Sequence, residues 1–259
     1  MRMNQSGLLW VFAKREFKER YIGSIGSLLW LVIHPLLLLA IYNFVFSVVF
    51  RIKFLDLYQA DFIVFVALAL WPWLMFQEGA QRASRVIIAN QGLIRKSSFN
   101  RALLVYASVL ATFVTHLLGF GLVILLFLGL NKLELSGINL MASLFFIGVL
   151  FAVCIGFSLI LAALQVYLRD VEFILGTVFM VWFYITPILY PIALVPASLQ
   201  GWLQLNPLTT LIENIRNPLM SRALEMDGFA WVGMLVGSGL FLILAHWFFR
   251  RLAVNFEDY

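Results

Sequence analysis

The side chains that could carry out acid–base or metal chemistry are few in this sequence and stand far apart. The three histidines, His34, His116 and His246, have no HExxH pattern around them and no carboxylate at the spacing of metal ligands. The acids in the stretch Arg169-Asp170-Val171-Glu172 form the densest cluster, but a short turn of this kind favours pairing among its own charges. The sequence therefore predicts no metal site and no catalytic residues.

A phosphate-binding loop is also missing. No stretch matches GxxxxGK[ST], and the chain has no Gly-Lys dipeptide. The chain therefore has no P-loop of its own with which to bind ATP. Energy from ATP would have to enter through another polypeptide.

The composition is that of a membrane protein with several spans. Of the 259 residues, 63% are hydrophobic and 12% are charged, and the mean hydropathy is +0.97, whereas about a quarter of an ordinary soluble domain is charged. The net charge of +5 is spread between apolar runs, which indicates membrane orientation rather than nucleic-acid binding. Cys154 is the single cysteine, so we expect packing rather than a disulfide within the chain. We expect no cleaved signal peptide.

Six segments are apolar and long enough to cross a bilayer, which needs about 20 residues per helix. The second of them is completed by extending it to residue 80. The sequence thus predicts an all-α integral membrane protein that forms one transmembrane domain over residues 1–259. The predicted spans are 27–50, 62–80, 102–131, 138–168, 173–190 and 229–249.

The distribution of basic residues predicts the orientation of these spans. Thirteen of the 18 Lys and Arg residues fall in segments on one side of the predicted membrane, and five fall on the other. The side richer in Lys and Arg is normally the cytoplasm. Both termini are therefore predicted to be cytoplasmic.

Two segments on that side have amphipathic patterns. In residues 4–22, Trp10, Ala13, Phe17 and Tyr21 share one face of a helical wheel, which predicts a helix lying in the membrane interface. Such a helix either anchors the chain or offers a docking surface to a partner. The connector 84–94 pairs apolar and basic positions, and is either a partner contact or a solvated basic loop.

The stretch TPILYPIALVP, residues 186–196, has three prolines but no charged residue. Proline breaks a helix, and broken backbone at membrane depth survives only where protein buries it or where it lines a water-filled cavity. The surrounding charge-free run, 173–212, exceeds one crossing. We therefore predict short re-entrant helices on the external side, between spans five and six, at the mouth of a pathway. The alternative is an interfacial loop without a gating role.

Aromatic residues are unusually frequent, at 16% of the chain, whereas ionisable groups within the predicted spans are nearly absent, which argues against a proton-coupled carrier. Flat rings with a polar tip could line a pathway along which sugars stack, although each ring could equally face lipid. The candidates in the first and fifth spans are Trp30, Tyr42, Phe46, Phe179, Trp182 and Tyr184.

Five stretches in register carry a family resemblance. They are REFKERYIGSIGSLLWLVIHP near the start, NQGLIRKSSFNR after the second predicted span, YLRDVEF after the fourth, TPILYP with NPLTTLIENIR after the fifth, and the closing VNFEDY. Together they resemble the membrane subunits of bacterial ABC exporters for polysaccharides, of the O-antigen and teichoic-acid type. The match runs from about Lys14 to the end. Asn100 departs from the family, in which proline commonly follows this phenylalanine.

The resemblance implies a permease rather than an enzyme. It implies a homodimer in the bacterial inner membrane, with a channel between the two copies that exports a lipid-linked polysaccharide. Two ATP-binding cassette subunits would hold ATP and Mg, so this chain would carry no cofactor. The remaining partners would be membrane lipids, with no nucleic acid.

The resemblance also assigns roles to three groups of residues. Coupling to the ATPase would fall on Lys14, Arg15, Lys18, Arg20, Val86, Ile87 and Asn90. The external gate, within 187–216, would include Pro187, Tyr190, Pro191, Pro196 and Pro207. Arg82, Arg85 and Lys96 would attract the diphosphate of the cargo, or would only set the orientation.

Two other functions remain open at this point. An ABC exporter subunit for small lipophilic compounds shares the six spans and would favour a compact hydrophobic pocket. A lipid-glycan flippase or membrane enzyme that works without ATP would transport or react as the isolated chain.

Overall fold

The computed structural model describes residues 5–21, 25–49, 62–222, 228–254 and 256. Throughout these residues the regular structure is helical, which confirms the all-α prediction. The helices are α1 (Gln5–Tyr21), α2 (Ile25–Asn43) with a π-helical continuation (Phe44–Val49), α3 (Phe62–Ala89), α4 (Gln91–Lys96), α5 (Ala102–Gly129), α6 (Gly137–Tyr167), α7 (Val171–Ile185), a 3₁₀ turn (Ile192–Leu194), α8 (Ala197–Gln204), α9 (Pro207–Leu219) and α10 (Gly228–Ala253).

Four of the helices in the described ranges, α3, α5, α6 and α10, are long and apolar enough to cross a membrane. The apolar part of α2 with its continuation, and α7, are shorter. The 15 residues of α7 span about 22 Å, less than the hydrocarbon thickness of a bilayer. The molecule is therefore an integral membrane protein with at least four candidate spans, and a total of six stays a prediction.

Helix α3 is the centre of the bundle. It packs against α5, α6 and α9, and almost every residue from Phe62 to Phe76 is buried. A helix that is apolar on all sides is expected in such a position. Helix α10 packs mainly on α6 and leaves most of its apolar surface exposed, as a lipid-facing helix does.

The ends of α3, α6 and α10 and the starts of α5 and α7 lie together, and we call this region the basic end. Here two side chains bind the last carbonyl groups of α10: Arg101 donates to the carbonyl of Ala253, and the Tyr167 hydroxyl donates to the carbonyl of Leu252 at 2.8 Å. Helix C-termini leave such carbonyls without intrahelical partners. The bonds therefore fasten the last turn of α10 to α5 and α6.

At the far end of the bundle, α5 and α9 stop in the same way. Asn131 and Ser221 each have a φ of 55°, the left-handed conformation that commonly terminates helices. The Ser221 hydroxyl also donates to the carbonyl of Glu134 at 2.9 Å. The segment after α9 is thereby tied to the loop that leads into α6.

The contact between α6 and α10 depends on a glycine. A Cβ atom at Gly156 would lie 2.7 Å from the ring of Phe241, whereas one at Gly148, on the same helix, would meet no atom within 4 Å. Overpacking of this kind typically costs about 1–3 kcal/mol. We expect Gly156→Leu to lower the thermal unfolding midpoint of the purified protein and Gly148→Leu to leave it nearly unchanged. Equal midpoints would show that α10 adjusts without cost.

Candidate functional site

A polar cavity of about 1010 Å³ lies at the basic end, between α1, α2, α3 and α5. It extends to His116, which lies about 21 Å along α5 from the start of that helix. Its polar and aromatic lining consists of Arg15, Glu16, Glu19, Trp30, His34, Gln77, Glu78, Gln81, Arg82, Arg85, Asn90, Ser108 and His116. The cavity therefore brings ionisable groups into the part of the bundle between α1, α2, α3 and α5.

In this wall, the Glu78 carboxylate of α3 contacts His116 of α5. The Nε2 atom of His116 lies 2.7 Å from one carboxylate oxygen of Glu78, and Nε of Arg82 donates to the other at 2.5 Å. His116 is almost fully buried, whereas the Glu78 side chain is 33% exposed. Since an ionised carboxylate only accepts hydrogen bonds, Nε2 of His116 must carry a hydrogen. One acid thus binds two donors.

Two more arginines of the cavity wall are held by other groups of the same chain. Nη1 of Arg85 lies 2.9 Å from a carboxylate oxygen of Glu172, which connects α3 to the start of α7. Arg15 donates to the side-chain oxygen of Asn90 and lies 3.5 Å from Glu19. These contacts join α1, α3 and α7 around the mouth of the cavity.

The predicted coupling residues occupy different environments. Helix α3 continues through Ala89, so the first part of the predicted connector 84–94 belongs to this helix rather than to a separate element. Val86 and Ile87 are buried against the rest of the chain, while Ile88 beside them is exposed. Lys14 and Lys18 are exposed, Arg15 and Asn90 are partly buried and bonded to each other, and the side chain of Arg20 lies outside the described residues.

Of the three residues predicted to attract a diphosphate, Arg82 and Arg85 line the cavity. Lys96 is exposed in the last turn of α4, and the cavity does not include it among its lining residues. The structure therefore brings two of the three together.

The predicted aromatic residues are also divided. Phe179 is fully buried and stacks on Trp182, with ring centroids 6.2 Å apart, inside a cluster with Trp73, Phe76 and Phe157. Trp30 and Tyr184 are exposed, each at 59%. Tyr42 stacks on Phe183, and Phe46 packs against Phe62. The exposed rings are available to a pathway or to lipid, whereas Phe179 packs within the chain.

The segment predicted as an external gate begins at the end of α7. Nε1 of Trp182 donates to the side-chain oxygen of Asn206 at 3.0 Å, and the Asn206 amide donates to the Thr186 hydroxyl at 2.9 Å. Asn206 also caps α9, whose first residue is Pro207, a favourable sequence for a helix start. The start of α9 is thus tied to the end of α7.

The other residues of this segment are partly held by the chain. Pro187 and Pro191 are buried, and Tyr190 donates its hydroxyl to the carbonyl of Tyr184 at 2.8 Å. Pro196 and Pro207 are exposed. The segment therefore has one face against the bundle and one that is open.

Arg216 of α9 is buried in this region. Its side chain is 2% exposed, and its guanidinium lies 3.7 Å from the centre of the Phe65 ring. Nη1 donates to the carbonyl of Pro187 at 3.2 Å, and Nη2 lies 3.8 Å from Glu213. A buried cation of this kind needs both a counter-charge and acceptors. Arg216 therefore connects α3, α9 and the start of the proline-rich segment.

Sequence reasoning found neither the Glu78–His116 pair nor the role of Arg216. The pair joins residues 38 positions apart, so no local spacing indicates it. Arg216 has one local signal, because Glu213 precedes it by three residues on the same helix face. Within the described residues, no group of three or more His, Cys, Asp or Glu side chains is arranged to hold a metal ion.

Together, four helices long and apolar enough to cross a membrane and a polar cavity at one end of the bundle are the features of an integral membrane protein with a polar recess. A family model for ABC-2 type transporters matches residues 7–220. The chain belongs to the ABC-2 type transporter membrane family.

Individual relatives agree with this assignment. An O-antigen export system permease protein RfbA of Klebsiella pneumoniae is 30% identical over 258 residues, which cover 97% of this chain and 94% of the relative. One of the same name from Myxococcus xanthus is 27% identical over 208 residues, covering 80% and 77%. These matches confirm the resemblance to polysaccharide-export permeases that the five sequence stretches predict.

Proposed function

We propose that this chain is the transmembrane subunit of an ATP-driven exporter that moves a lipid-linked, O-antigen-like polysaccharide across the bacterial inner membrane. The observation that carries the proposal is the match along nearly the whole chain to permeases named for O-antigen export. The cavity at the basic end supports it, because a polar recess with Arg82, Arg85 and the exposed ring of Trp30 suits a phosphate-bearing sugar.

The proposed assembly has two copies of this chain and two ATP-binding cassette subunits, which hold ATP and Mg. Both termini and the basic end face the cytoplasm, in agreement with the positive-inside rule. Six spans surround the transport pathway between the two copies, and α8 and α9 form re-entrant gate helices on the external side. The partly buried bond between Asn206 and Trp182, which ties the start of α9 to α7, supports the re-entrant arrangement.

In this proposal, α1 and the α3–α4 junction receive the movement of the ATPase. The contact of Arg15 with Asn90 supports this role, because it ties the interface helix to the junction. The open surface for contact consists of Lys14, Lys18 and Ile88 rather than Val86 and Ile87, which are buried.

The test is reconstitution of the purified two-subunit assembly in proteoliposomes with the ATPase facing outward. We expect externally added lipid-linked glycan to become protected from a glycosidase only when ATP is present. Native mass spectrometry of the same preparation should give two copies of each subunit. Protection without ATP would favour a flippase, and ATPase stimulation by small lipophiles but not by glycan would favour an exporter of such compounds.

A further inference from the structure

Glu78 lies at a position where burying a charge in the membrane costs free energy. It lies about 16 Å along α3 from the end of the helix at Ala89, within a helix that is otherwise apolar enough to span a membrane. Ionisable groups in such a position are expensive and mark functional sites by default. Its partners are Arg82 on the same helix and His116 on α5.

The cavity wall also contains three arginines that could bind a negatively charged ligand. Each of them already contacts an acceptor of this chain. Arg85 is held by Glu172, Arg15 by Asn90 and Glu19, and Arg82 by Glu78. Glu78 differs from the other acceptors because it also binds a buried histidine on a neighbouring helix. A ligand that binds Arg82 through its Nε atom therefore competes with one oxygen of Glu78, while the other oxygen contacts His116 on α5.

We propose that Glu78 is a built-in competitor for the diphosphate of the cargo: it binds Arg82 and His116 in the empty cavity and is displaced from Arg82 when a diphosphate binds. The inference rests on the proposed function, of which it specifies the binding step. A diphosphate carries more negative charge than one carboxylate and can bind a guanidinium through two oxygens. Weakly charged anions compete poorly with Glu78, so the competitor provides selection for the diphosphate.

The probes are farnesyl diphosphate and inorganic pyrophosphate, titrated by calorimetry into the assembled transporter in nanodiscs, with the partner's nucleotide sites saturated with ADP. Glu78→Gln keeps the shape and removes the competing charge, so we expect it to tighten binding of farnesyl diphosphate by about tenfold. Glu78→Asp keeps the charge but is too short to bind both donors, so we expect a smaller gain. Arg82→Gln should weaken binding.

Two matched variants control for net charge. Glu134→Gln removes one negative charge at an exposed position of the far end, and Arg95→Gln removes one positive charge from the exposed side of α4. Both should bind the probes like the unmodified protein. Binding that is unchanged or weaker in both Glu78 variants would overturn the proposal, because it would make Glu78 a supporting residue.

The two probes distinguish the source of the diphosphate. Tighter binding of farnesyl diphosphate than of pyrophosphate points to a lipid headgroup, and equal binding points to a free diphosphate. If the Glu78 variants behave as expected but ATP-driven glycan export is not observed, the binding site stands and the proposed cargo is wrong. If glycan export is normal but the Glu78 variants bind the probes like the unmodified protein, the proposed role of Glu78 is wrong and the proposed export function stands.

Discussion

Arg216→Met is expected to lower the free energy of unfolding by about 3–5 kcal/mol, the usual result of removing one partner from a buried ion pair. The substitution removes three contacts: the guanidinium above the Phe65 ring, the hydrogen bond to the carbonyl of Pro187 and the ion pair with Glu213. Glu213, which is also buried, loses its nearby cation. The loss should appear as a lower thermal midpoint of the protein in detergent and a lower yield from membranes.

Two further variants separate the charge of Arg216 from its shape. Arg216→Lys keeps the charge but loses the planar contact with the Phe65 ring, so we expect an intermediate loss. Combining Arg216→Met with Glu213→Gln removes both charges and should recover part of the stability. A double variant that is no more stable than Arg216→Met would contradict the pairing of these two residues. Lys132→Met, at an exposed position of the far end, should have little effect.

Arg15→Glu is expected to reduce ATP-driven export at least tenfold while the assembly continues to hydrolyse ATP. The new carboxylate would stand beside Glu19 and could not donate to the Asn90 oxygen. The interface helix would therefore lose its polar link to the α3–α4 junction, through which we propose that movement enters. The measurement is the number of glycans transported per ATP hydrolysed in proteoliposomes.

Two control variants are measured for export and ATP hydrolysis in the same way as Arg15→Glu. Arg15→Lys retains a donor and should keep most of the export, and Lys132→Glu makes the same change in net charge at the far end. Loss of ATPase subunits from the purified Arg15→Glu assembly would assign Arg15 to docking instead. Normal export by Arg15→Glu would remove α1 from the coupling pathway.

The sequence predicts apolar helices well, because a run of some 20 uncharged residues has few alternatives to a membrane helix. The bounds of α5 and α6 lie within two residues of the predicted spans. The prediction is weaker at the basic end, where α3 runs on through Ala89. Glu78, Arg82 and Arg85 interrupt the hydropathy of this helix, but each is bound by a partner, and helical geometry is preserved.

The candidate site is harder to predict than the helices. Apolar patterns indicate that a side chain is in the membrane, but not whether it faces lipid, protein or a cavity. Phe179 and Tyr184 look alike in the sequence, yet one is buried in an aromatic cluster and the other is exposed. Only helix packing decides this. The same holds for His116, whose partner belongs to another helix.

The attachment of α10 has a consequence for the relative motion of the helices. Arg101, just before α5, donates to the carbonyl of Ala253, and Tyr167, at the end of α6, donates to the carbonyl of Leu252. The last turn of α10 therefore cannot slide along either helix without breaking a hydrogen bond, so the three helix ends shift as one unit.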